Sequence, residues 1–229
     1  MARVAGDAVA ICLESGSRLT FASALDWPGW SRSGRTEEAA IEALRSYAPR
    51  YAPVVLAAGL PLPDPARLEV AERLPSTSTI DFGIPYGLAK RDQEPLEAAE
   101  AERLIAILEA AWELFDGVAA GAPASLRKGP RGGGRDRDAI VEHVVGAEVE
   151  AYARKLGIRL ARPAQGDAAA RRPHRAAIAA ALRAASGPHP AVAPPAQRWP
   201  LRYAVRRIAW HVLDHAWEIE DRSGPAPAG

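Results

Sequence analysis

What most limits the folds open to this chain is a change of hydrophobic period near Asp92. Before it, short apolar stretches alternate with turn signals, as strands require. After it, apolar residues recur every three or four positions, as helices require. Ala8 to Glu14 is strand-forming, Ser15-Gly16-Ser17 marks a turn, and Arg18 to Asp26 returns as a second strand. Trp27-Pro28-Gly29-Trp30 breaks that strand, because proline cannot donate to a ladder and glycine favours a turn. Trp30 to Ser33 adds a short third strand. Thr36 is placed to cap a helix from Glu37, with the acidic Glu37 and Glu38 in its favourable first turn. Ala40, Ile41, Leu44 and Tyr47 supply the buried stripe of that helix, and Pro49 helps to stop it. Further strands are predicted over Leu68 to Leu74 and over Ile80 to Ile84.

Beyond Asp92 the pattern predicts four helices. The first runs from Glu94 to Val118 on Leu104, Ile107, Leu108, Ala111, Leu114 and Phe115. Asp138 caps the second, which continues through Val141, Val145, Val149 and Tyr152 to Gly157. The third covers Pro173 to Ser186 and ends at Gly187; the fourth has Pro200 in its first turn and ends near Arg222. The expected class is therefore α+β: a small N-terminal ββ(β)α module (1–90), an all-α four-helix bundle (91–222) and a disordered tail (223–229).

With 29 basic against 28 acidic residues the net charge is +1, which argues against general polyanion binding. The lone cysteine, Cys12, excludes an internal disulfide and a CxxC site. No apolar run reaches the ~18–20 residues of a membrane span. Asp7 interrupts the short apolar run near the start, so no signal peptide is read and the cytoplasm is the expected address. Arginine outnumbers lysine 26 to 3 in an alanine-rich chain, which makes the five histidines and six tryptophans the more telling residues.

His211 and His215 are four apart on the last helix, so both imidazoles share one face, about 6 Å apart along the axis. That face continues through Ala204, Ile208 and Ile219 and points at the bundle core. His143 holds a comparable stripe on the second helix with Ile140, Ala147 and Ala151. Two histidines from one helix and one from a facing helix make a three-nitrogen site suited to zinc, nickel or iron(II), with positions left for water or substrate. Glu142, Glu148, Glu150, Asp214 and Glu218 are near enough in sequence to orient ligand nitrogens or move protons. The spacing alone is also met by a surface pair or a hydrogen-bonded core network.

The segments AIVEHVVGAEVEAYARKLG and RYAVRRIAWHVLDHAWEIEDR resemble the DinB/YfiT superfamily over roughly Glu94 to Arg222. In that family one histidine on the second helix of a four-helix bundle joins a His-x-x-x-His pair on the last; His143, His211 and His215 match in order and placement. The resemblance implies a divalent metal site and transfer or isomerisation with a low-molecular-weight thiol, or related hydrolytic chemistry, on a small-molecule substrate. LTFASALDWPGWSRSGRTEEAAIEAL, within Val9 to Tyr47, is similar to HicB-like antitoxins. It departs from them in having no recognisable DNA-binding segment, so the fold suggestion is taken over without toxin neutralisation. Such a module would cover the bundle mouth, form a homodimer edge or bind a protein partner. A rival expectation is thus a non-catalytic interaction or regulatory protein using that module.

The loop RKGPRGGGRDR (127–137) lacks a P-loop ending and reads as a solvated connection. A nucleic-acid role would rest on it alone. Arg202, Arg206 and Arg207 read as an exposed face, Trp210 and Trp217 as a second packing face of the last helix, and His174 and His189 as surface residues. Cys12, on a predicted strand, reads as a small buried hydrophobe.

Overall fold

The computed structural model describes residues 8–128, 134–187 and 198–224. It is a mixed α/β structure. Strands β1 (Val9–Ser15), β2 (Thr20–Ala24), β3 (Ser31–Gly34) and β4 (Leu68–Leu74) form one sheet in the order β3-β2-β1-β4. β1 and β2 pair antiparallel, with Ile11 opposite Ala24 and Ser15 opposite Thr20; β3 adds antiparallel to β2. β4 lies parallel to β1, with a bulge between Ile11 and Cys12. Parallel neighbours need a crossover, supplied by α1 (Glu37–Ser46) and α2 (Ala48–Ala57). The Thr36 side chain accepts from Ala39 N at 3.2 Å, as the capping signal foretold.

Two expectations fail here. Pro49 does not end helical structure: α1 stops at Ser46, and Pro49 falls in the first turn of α2, where its missing N–H costs nothing. Ile80 to Ile84 is no strand but a 3-10 turn, Ile80–Phe82, ended by Gly83 in the left-handed region. Asp81 holds that turn against the β1–β2 hairpin through the backbone N–H groups of Ser17, Arg18 and Leu19.

A 3-10 turn, Lys90–Gln93, leads to α3 (Ala98–Gly121). Then come α4 (Arg137–Gly146), a π-helical stretch (Ala147–Tyr152), the short turn α5 (Ala153–Lys155), α6 (Ala168–Ala184) and α7 (Leu201–Ser223). α6 starts earlier than the expected Pro173, because Asp167 caps the N–H groups of Ala169 and Ala170; Pro173 sits inside it. α3 packs against α2, α4, α6 and α7, and α4 packs against α7.

Period-two alternation splits the sheet residues between faces. Val9, Ile11, Leu13, Ala22 and Ala24 join a core that also holds Trp30 and Tyr51, Leu104 and Phe115 of α3, and Ile208 and Trp217 of α7. One apolar core thus spans both halves of the chain. Cys12 faces the other way, buried with Leu25, Leu74 and Ala89, and that burial pushes its thiol up to about 11. α7 is buried at every position from Arg202 to Leu213. No helix among the described residues is long and apolar enough to cross a membrane.

Candidate metal centre

His143 lies in the last turns of α4, and His211 and His215 in the middle of α7. The imidazole centroids are 5.0 Å (143–211), 4.9 Å (143–215) and 4.7 Å (211–215) apart. One nitrogen from each ring lies within 4.8 Å of the other two. Nε2 of His211 is 3.2 Å from Nε2 of His143, close to the ~3.4 Å between two nitrogens on one tetrahedral ion with ~2.1 Å bonds. His211 is buried, and His143 and His215 are half-buried.

His215 donates from Nδ1 to Glu218 Oε2 at 2.8 Å, which leaves its Nε2 lone pair available to a cation. Arg222 donates to the other Glu218 oxygen at 2.7 Å and to the carbonyl of Arg127 at 2.7 Å. The hydrogen bond from His215, with Arg222 behind it, holds the Glu218 carboxyl below its ordinary range. Burial, and then the nearby His215, pull His143 below the ordinary imidazole value. Burial, with His215 and Arg207 adding to it, drives His211 well below that value. Both rings are therefore neutral near pH 7, with lone pairs for a cation. Three converging imidazoles, one of them backed by a carboxylate, fit a borderline divalent ion. His211 Nδ1 is buried without a hydrogen-bond partner.

Of the five nearby carboxylates, only Glu218 bonds one of the three imidazoles among the described residues. Asp214 pairs with Arg32 of β3 at 3.2 Å, and the Arg32 guanidinium lies over the rings of Tyr47 (4.1 Å) and Trp217 (5.4 Å). Glu142 and Glu150 pair with Arg162. Glu148 is buried, accepts from Trp112 Nε1 at 2.7 Å, and is raised by that burial. The π-helical stretch also corrects the stripe expected for His143. Ala151 is exposed, whereas Glu148 and Tyr152 are buried. In an unbroken α-helix Tyr152, nine residues on, would lie about half a turn from His143. Underwinding through the π stretch takes back part of that rotation, and the Tyr152 ring meets His211 edge-on at 5.6 Å.

The exposed arginine face expected on α7 is also wrong. Arg202, Arg206 and Arg207 are all buried, because the segment around Tyr86 to Glu100 lies over them. Arg202 pairs with Glu100 (2.6 Å), and Arg206 donates to Asp92 (3.1 Å) and to the Gly87 carbonyl (3.2 Å). Trp210 packs edge-on against Phe21, and Trp217 against Tyr47, so the second face of α7 meets the N-terminal strands and α1 end. His174 donates to its own helix at Ala170. His189, the linker 188–197, loop residues 129–133 and tail residues 225–229 lie outside the described residues. The flanking Lys128 and Arg137 bond Asp136 and the Ala122 carbonyl.

No protein-family model matches this chain, and no curated protein or solved structure matches it either.

Proposed function

We propose that the chain is a DinB-like protein, with α3, α4, α6 and α7 as its four-helix bundle and His143, His211 and His215 as ligands of one divalent metal ion. Its work is metal-dependent thiol transfer, or related hydrolytic chemistry, on a small molecule in the cytoplasm. The observation that carries this reading is the convergence within 4.8 Å of three imidazole nitrogens from two helices, His143 and His211 lying 68 residues apart in the chain. When bound, zinc, nickel or iron(II) supplies Lewis acidity that makes a low-molecular-weight thiol or water more acidic at neutral pH. The chain's own residues prepare that position. Burial keeps His143 and His211 unprotonated. Glu218, braced by Arg222, sets the His215 tautomer, and Tyr152 closes one side of His211. The HicB-like strands stiffen α7 from outside through Arg32 and Asp214.

Metal analysis and zinc titration of wild type and of each His→Ala variant test this. About one equivalent of zinc in wild type is expected, lost in every variant, with Glu218→Ala weakening affinity about 10–100-fold. Equal sub-stoichiometric metal in wild type and all three histidine variants would sink the reading.

A further inference from the structure

The described arginines buried in this protein are matched to carboxylates, with one exception. Arg171 and Arg175 meet Asp116, Arg202 meets Glu100, and Arg206 meets Asp92. Arg207 is as buried, at 8% exposure, yet makes no ion pair or hydrogen bond to any described residue. Its Nε and Nη1 are both shielded from water and without an acceptor. Its guanidinium lies over Trp210 (4.3 Å), Tyr152 (5.7 Å) and Tyr86 (5.8 Å). Ring faces offset part of its charge, but they give its in-plane N–H groups no acceptor. The neighbouring indole N–H of Trp210 is likewise buried without a partner. These orphan groups are all donors, so the partner they lack is an acceptor, and the unpaired charge of Arg207 favours an anionic one.

The location connects this gap to the histidines. Arg207 precedes His211 by four residues on α7 and so shares its face. Tyr152 touches both, lying against the His211 ring and under the Arg207 guanidinium. We propose that Arg207 seats a carboxylate of the small molecule handled at the three-histidine site, between Tyr86, Tyr152 and Trp210. This rests on reading His143, His211 and His215 as a small-molecule centre. A carboxylate is the matched class because it is planar and singly charged, as is the guanidinium fork. A phosphate dianion would want a second buried cation, and the adjacent Arg206 is already committed to Asp92.

Thermal shift and calorimetry test the seat without relying on turnover. In metal-free wild type, acetate should raise the melting temperature and acetamide should not; Arg207→Met should abolish the acetate shift. In zinc-loaded protein, mercaptoacetate should bind about ten- to hundredfold more weakly to Arg207→Met than to wild type, with mercaptoethanol affinity nearly unchanged. Arg207→Lys, which keeps charge but loses the fork, should retain only part of the acetate effect. Arg207→Met should itself melt no lower than wild type, since it removes a buried charge that nothing pairs.

An acetate shift that survives Arg207→Met, equal effects of acetate and acetamide on wild type, or tighter binding of inorganic phosphate than of acetate would each overturn the proposal. Failure of zinc to bind, alongside an intact Arg207-dependent acetate shift, would remove the metal reading and leave the carboxylate seat standing.

Discussion

The carboxylate of Asp81 accepts from the Ser17 hydroxyl and from three backbone N–H groups of the β1–β2 turn, and the Ser17 and Arg18 bonds hold it down to about 2. A carboxyl lowered on folding adds stability that is complete above its ordinary value, about 3.9, and vanishes as pH falls through the folded value. Wild type should therefore lose melting temperature between pH 4 and about 2 more steeply than Asp81→Asn, in which this group no longer titrates; parallel acid limbs in pH-resolved melting would refute the assignment. Nothing local in the sequence marks Asp81 for this task, because its partners lie more than 60 residues upstream. The histidine pair is the opposite case. Four-residue spacing on a strongly periodic helix places both rings together whatever surrounds them.

Among the elements, α7 is where local signals and packing diverge most. Its limits were readable from Pro200 and the apolar period, and its buried stripe from Ala204, Ile208 and Ile219. The burial of its arginines was not, because acceptors such as Asp92 and Glu100 lie on segments that only the fold brings over. The β2–β3 turn is fitted just as closely against α7. Gly29 has φ +90°, and a Cβ there would sit 2.5 Å from Leu213 Cδ1 and 3.2 Å from the Ala209 carbonyl oxygen. Gly29→Ala combines left-handed strain with overpacking and should cost roughly 1–3 kcal/mol. At about 2–4 °C per kcal/mol for a chain of this size, a differential scan would show it; an unchanged transition would mean that the turn does not bear on the helix.

Over the whole molecule, one apolar core joins the sheet, α1, α2 and the long helices, and buried charge ties the same parts together. Arg206 links α7 to Asp92, which also accepts from Ala89 N at 2.8 Å. Arg206→Met would strand a carboxylate that is 1% exposed, at a cost of about 3–5 kcal/mol by urea denaturation. Arg207→Met, one residue along, should cost nothing; similar losses in both would show that the two arginines do not differ as their partners imply. By itself the sequence determined the features that depend on neighbours along the chain: strand alternation, the Thr36 cap, the β4 segment, the helical second half and the paired face of His211 and His215. The tertiary structure alone decided that His143 meets them, that a π stretch turns Tyr152 onto His211, and that Arg207 is enclosed without a counter-charge. These depend on segments tens of residues apart desolvating one another, which no local window of residues encodes.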